Sequence, residues 1–567
     1  KNIKLEQFFE QQWQRGFSEY PENASYNGDM RYNTQWTDLS LSAIAQREAA
    51  DRAALKALHG FDRASLSVSD QLNYDTFEWQ LNQKIARQAF REYLIPINHQ
   101  DGVQTADDIT VDGIVEVLPF TSVKDYQDWL ARLDALPVVI DQIIILMQEG
   151  INTGIMPSKV LMERAGKQIS KQANTKPEES PFYKPFQKYP EGFSAQQKAS
   201  LSTQALKIIA EKIQPAYAKL NHFFYQDYLP KSRTGISVSD LPNGKKYYDF
   251  LAQYYTTTPL TANEIHDLGL SEVARIRAKM EAVKTEAGFK GSLPEFFTFL
   301  RTDPQFFYSS SAQLLEAYQA MSKRIDPELV KSFHVLPRLT YGIRQIPDNI
   351  APDTTTAYYQ PGATDGSRAG FYYVNLYKPE VRPKWEMMAL SLHEAVPGHH
   401  FQFARALELP DMPMFRRTAY FVAYGEGWGL YAEQLGYDMG VYTNAYDKFG
   451  QLTYEMWRAV RLVVDTGMHA KGWSRQQAID YFKANAPKTD QDIVNEIDRY
   501  IGTPGQALAY KIGQLKISEL RARAEKAIGT SFDLKAFNDE VLSTGSVPLN
   551  TLEKHIDHWI AQQKHAK

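Results

Sequence analysis

Ser391-Leu392-His393-Glu394-Ala395-Val396-Pro397-Gly398-His399-His400-Phe401-Gln402 is the stretch on which the reading of this chain turns. In the familiar arrangement, a helical His-Glu pair is followed four positions after the first histidine by a second. The two imidazoles then hold zinc and the glutamate acts as base. Four positions at about 100° each bring the second ring within about 40° of the first and roughly 6 Å along the axis. Here the second histidine comes six or seven positions on. On an unbroken helix, position six points about 120° away and position seven lies about 10 Å along the axis. Neither could share an ion whose nitrogen ligands sit about 2 Å from it. The helix must therefore deform, and Pro397-Gly398 supplies the means: proline cannot donate to the carbonyl of His393, and glycine tolerates unusual backbone angles. A two-residue bulge would bring in His399 and a three-residue bulge His400. His399 is preferred, because adjacent Gly-His recurs in related zinc motifs.

The third ligand is expected from a following helix. Tyr424-Gly425-Glu426-Gly427-Trp428-Gly429-Leu430-Tyr431-Ala432-Glu433 offers Glu426, 27 positions after His399, between glycines that allow close backbone approach. His393, His399 and Glu426 would leave an open coordination position for water, as catalytic zinc sites do. Glu433 is expected to support a ligand or to face solvent. Three histidines and a glutamate within eight residues, in a chain with 12 histidines, argue against coincidence. The chain has no cysteine, which rules out disulfides and thiol nucleophiles and leaves His and carboxylates as its strong metal ligands.

Outside the motif the chain reads as mainly helical. Asp38–Leu58, Ser67–Tyr93 and Ser122–Glu149 carry apolar residues at three- and four-residue spacing. Thr261 and Glu264 form a capping box for a helix running to Ala287. Lys171–Pro190, with four prolines, reads as an extended surface connection. Tyr358–Tyr377 differs in texture: glycines followed by Phe371-Tyr372-Tyr373-Val374 indicate a turn entering a strand, a small sheet beside the metal helix. Trp385–Leu407, Met414–Gly436 and Asp447–Lys471 read as helices. Two regions are expected, residues 1–235 and 236–567, packed as one compact unit.

Composition excludes several classes. A net charge of -4 over 567 residues is too near neutral to attract nucleic acid or anionic lipid. No apolar run reaches the roughly 18 residues a membrane-spanning helix needs. The greasiest stretch, Leu136–Met147, contains Asp141 and Gln142 and reads as a buried helix. The chain opens with Lys1, which is expected to mark a processed or trimmed product.

Taken in order, HEAVPGHH, GEGWGLYAE, Asp465-Thr466-Gly467-Met468-His469 with Gly472-Trp473, and Arg499-Tyr500 with Pro504-Gly505-Gln506-Ala507 and Tyr510 resemble the bacterial domain of unknown function 885. That family is largely regarded as lipoproteins, and the resemblance spans essentially the whole chain. The GEGWGLYAE stretch also resembles the glutamate-bearing helix of gluzincin aminopeptidases, and the family is similar to helical gluzincins of the angiotensin-converting and thermostable carboxypeptidase types. The resemblance implies a large helical gluzincin-like metallopeptidase fold, zinc as cofactor, and an exported protein of the periplasm or cell envelope, lipid-anchored through its precursor. On this reading Glu394 is the general base toward a peptide substrate. By analogy with helical gluzincins, His469 and Tyr510 are candidates for the donor to the oxyanion. An exposed edge strand would align an extended peptide, with Tyr373 and Asn375 facing it, and Arg368 or Arg499 would clamp a terminal carboxylate. Two alternatives share these residues: an inactive peptidase-fold binding protein of the envelope, and a zinc amidase acting on cell-wall material.

Overall fold

The computed structural model describes the chain except residues 106–113, 349–350, 352–354, 363–368, 411 and 566–567. It divides into two compact units, Lys1–Tyr247 and Tyr248–Lys567.

The first unit is helical. Its longest helix, α1 (Val123–Thr153), begins at a capping box in which Ser122 and Asp125 satisfy each other's backbone N–H. Leu136–Met147 lies within it, burying Leu136, Ile140, Ile143, Leu146 and Met147, while Asp141 turns outward to Lys219 at 2.8 Å. Among the described residues no helix is long and apolar enough to cross a membrane. Lys171–Pro190 is not the extended surface connection its prolines suggest. It starts inside a helix ending at Asn174 and continues as 3-10 turns, Pro177–Glu179 and Pro181–Gln187. Phe182 and Phe186 are buried there, and Trp129 donates to the Phe182 carbonyl at 3.2 Å. Apolar anchoring overrides the proline signal.

The second unit is mainly α with a three-stranded sheet. Helix α2 (Ala262–Glu286) starts at the Thr261–Glu264 capping box and packs along the core helix of this unit. That helix, α6 (Ala445–Ala470), is buried at nearly every position from Phe449 to His469. Strands β1 (Tyr341–Gln345), β2 (Ala357–Gln360) and β3 (Gly370–Val374) lie in the order β1-β3-β2, β3 being parallel to β1 and antiparallel to β2. Buried Tyr372 links the sheet to the helix that carries His393, its hydroxyl 3.4 Å from that of Ser391.

The Trp385–Leu407 stretch is two helices, α3 (Met387–Glu394) and α4 (His399–Leu407). Met414–Gly436 also splits, into a single turn at Met414–Arg417 and α5 (Val422–Met439). Beyond α6 come α7 (Asp490–Gly502) and α8 (Ala509–Ile528), the latter packed along α5.

Candidate metal centre

The break between α3 and α4 decides the site. Residues 395–398 leave helical geometry, and α4 restarts at His399. The return is so tight that a Cβ on Gly398 would fall 1.8 Å from the His393 carbonyl oxygen, so only glycine fits. Trp428 of α5 donates to the Pro397 carbonyl at 2.8 Å and pins the break against the next helix. Gly429 lets α5 approach the first imidazole, since a Cβ there would lie 2.6 Å from His393 Cε1.

This folding brings His393, His399 and Glu426 together, with one possible ligand atom from each lying within 4.8 Å of the others. Glu426 Oε2 is 3.3 Å from His393 Nε2 and 3.4 Å from His399 Nε2, and the two rings meet edge to face at 4.7 Å. Burial would lift the Glu426 carboxyl, but the His399 and His393 imidazoles hold it well below the usual carboxylate range. His393 is lowered by burial, yet its bonds to Glu426 and Glu433 win and raise it to about 9. Glu433, only 1% exposed, accepts from His393 Nδ1 at 2.8 Å and so directs Nε2 into the cluster. Arg458 stands 4.0 Å behind Glu433.

His400 turns the other way. Its Nε2–H donates to the Leu339 carbonyl at 3.0 Å, and Nδ1 accepts from the Tyr359 hydroxyl at 2.9 Å. With both nitrogens engaged and burial pushing it down to about 4, it is a neutral structural histidine. Glu394 ends α3 half-buried beside His393, and among the described residues nothing hydrogen-bonds its carboxylate.

The remaining sequence candidates scatter. Tyr510 lies at the start of α8 beside Glu426: burial and then that carboxylate raise its hydroxyl, opposed by Arg499 and Arg461. His469 keeps other company, its Nε2 on the Tyr500 carbonyl at 2.9 Å and its ring against Tyr248. Arg499 donates to Gln506 at 2.8 Å and to Glu496 at 3.1 Å. Tyr373 stacks on Tyr358, 4.9 Å between centroids, and its strand β3 is central in the sheet and not an edge. Asn375 does not face a cleft. It is 1% exposed, donates to the Ala351 and Thr355 carbonyls at 2.8 and 3.1 Å, and accepts from Tyr377 N at 3.0 Å. Arg368 lies outside the described residues.

One neighbour escapes the sequence reading. Tyr420, in the turn before α5, donates to Glu426 Oε1 at 3.1 Å while its ring stacks on Phe403. Desolvation of its hydroxyl and the Glu426 carboxylate beside it hold this phenol well above its ordinary range. No motif marks it; a tyrosine six residues before Glu426 carries no spacing signal. Glu433 did carry one, because seven positions return to the same helix face as Glu426.

A family model described as bacterial protein of unknown function (DUF885) matches residues 21–556. No curated protein matches the chain. A crystal structure of a protein from Colwellia psychrerythraea, provisionally described as a lipoprotein, shares 29% identity over 99% of both chains, with a TM-score of 0.92. A second, from Shewanella oneidensis, described provisionally as a lipoprotein of unknown function, has 18% identity and a TM-score of 0.72, covering 97% of this chain and 99% of that one. PZ peptidase A with an inhibitor is a distant likeness at 12% identity and a TM-score of 0.33, covering 92% of this chain and 97% of that one.

Proposed function

We propose, for a chain that belongs to the bacterial family of unknown function DUF885, that the cluster of His393, His399 and Glu426 holds zinc and serves the hydrolysis of peptide bonds. The supporting observation is the convergence of two imidazoles and a carboxylate beside the half-buried, unclaimed carboxylate of Glu394. The donor set suits the ion: two nitrogens and one oxygen leave a fourth position open, and Glu433 fixes which nitrogen of His393 faces it. His393, His399 and Glu426 would hold the zinc, which would supply Lewis acidity for activating water near neutral pH.

The chain's own residues do the rest. Glu394 takes the proton from water and returns it to the leaving amine. Tyr420 donates to Glu426 and Tyr510 lies near the same carboxylate, and their raised pKa keeps both phenols protonated and able to donate to an oxyanion. Short peptides are the proposed substrates and the cell envelope the proposed location, with lipid anchoring of the precursor supported by the two neighbours provisionally described as lipoproteins.

The test is Glu394→Gln, which keeps size and loses basicity. With one zinc per chain in parent and variant alike, peptide-library cleavage is expected to fall on the order of 10²–10⁴-fold. Equal rates would remove Glu394 from the chemistry. A zinc-loaded parent that cleaves nothing would hand the site to the binding-protein reading.

A further inference from the structure

Three donors on one face of α6 lack an acceptor. Trp457 Nε1, Arg458 Nε and Arg461 Nη1 are buried atoms with no hydrogen-bond partner. Their positions are three and four apart or adjacent, so the side chains share one side of the helix. Buried donors are nearly always satisfied, so three together on one helix face suit a ligand that accepts.

Charge says what kind. Arg461 is 5% exposed; its Nε donates to the Tyr500 hydroxyl at 2.8 Å and its Nη2 to Glu496 at 3.1 Å. Arg499 leans on the same Glu496 oxygen at 3.1 Å, so two guanidinium groups share one carboxylate. Asp465, also near Arg499, is pushed up to about 7 by burial and spends Oδ2 on Tyr248 and Gly505. Arg461 and Arg499 thus divide one carboxylate between them, and a second anion would complete the pairing.

Position says whose. The Tyr510 ring lies 4.4 Å from Arg461 Cζ. Helices α5 and α8 cross backbone to backbone, because a Cβ on Gly427 would fall 2.5 Å from Gly513 Cα. Glu426 directly precedes Gly427, and Tyr510 comes three residues before Gly513. Tyr510 thus lies close to both Glu426 and Arg461, and Tyr510 and Trp457 are both half-buried.

We propose that the cluster centred on Arg461 takes the free C-terminal carboxylate of the peptide, so that cleavage is directed to the carboxyl end. This rests on the peptidase reading above. A guanidinium matches a carboxylate in a bidentate pair, and the indole N–H adds a third donor. The span of one tyrosine corresponds to one or two extended residues at roughly 3.3–3.6 Å each. Products one or two residues long, taken from the carboxyl end, follow.

The experiment uses the zinc-loaded full-length chain and one short peptide as free acid, as C-terminal amide, and as an amide carrying an internal aspartate. Binding is measured by calorimetry with Glu394→Gln to stop turnover, and cleavage by mass spectrometry with the parent. Amidation is expected to weaken binding roughly 10- to 100-fold. Arg461→Gln, combined with Glu394→Gln, should erase that difference at unchanged zinc content. Equal binding of acid and amide overturns the proposal, as does discrimination that survives Arg461→Gln, or an internal aspartate that restores the amide to full affinity. If Arg461→Gln fails to fold, the acid and amide arms of the parent decide alone. Cleavage of acid and amide alike would sink the carboxylate site and leave the peptidase reading standing. Carboxylate-dependent binding without cleavage would do the reverse.

Discussion

Residues 391–402 and strands β2 and β3 lie close in sequence and pack against each other, and both read as parts of one site. Only the first has its chemistry brought into the cluster. In the metal segment, residue type and spacing carry the geometry almost alone, since a proline, a glycine and two histidines dictate a break whose far side must return to His393. In the strand segment, aromatics and an asparagine acquire their roles from partners elsewhere. Tyr373 meets Tyr358 across the β2–β3 pair, and Asn375 ties down the Ala351 and Thr355 carbonyls. A site whose ligands are near in sequence and chemically distinctive is readable; a strand's orientation depends on pairings that its own pattern does not contain.

The strongest way to sharpen the contrast is to remove support from the metal segment without touching a proposed ligand. Glu433→Gln keeps an acceptor for His393 Nδ1 but loses the charge that steadies the ring. Zinc affinity is expected to fall about 10- to 100-fold, read by competition with a chelator of known affinity. Unchanged affinity would reduce Glu433 to a packing residue. Asn375→Ala is the matching change in the strand segment, and its effect should be on folding. Two carbonyls and one N–H lose their partner, so a loss of about 1–2 kcal/mol in unfolding free energy is expected, with zinc affinity intact. A loss of peptide affinity with stability preserved would put Asn375 back at the substrate.

Legibility follows the same division. The helical class, the capping box at Thr261, the break at Pro397-Gly398 and the approach of Glu426 to the histidines were all available, because each rests on local rules. His399 over His400 was available only as a preference. What separates the two is the Leu339 carbonyl and the Tyr359 hydroxyl that claim His400, both contributed from far along the chain. The Lys171–Pro190 stretch misread for a similar reason: proline content is visible in sequence, whereas the pocket that buries Phe182 and Phe186 is not. Tyr420 and Arg461 were invisible because one sits in a turn without a motif and the other in a helix where arginine ordinarily faces solvent.

The smallest change probes the strand most finely. Tyr373 is half-buried in β3, directly opposite Tyr358 and nearly parallel to it, the rings inclined by 17°. Its ring does the packing, and Phe371 meets it edge-on at 6.3 Å. Tyr373→Phe preserves that ring and deletes only the hydroxyl. If the residue serves the sheet, stability should move by no more than about 0.5 kcal/mol, the usual range for a change away from any buried network. KM for peptides should be unchanged. Tyr373→Ala should then cost more than about 0.5–1.5 kcal/mol, since the loss of the ring's buried area adds to the worth of the aromatic pair. A substrate-facing hydroxyl predicts the opposite order: Tyr373→Phe would raise KM several-fold at constant stability. That result would break the comparison, because the strand segment would then belong to the working site as fully as the metal segment does.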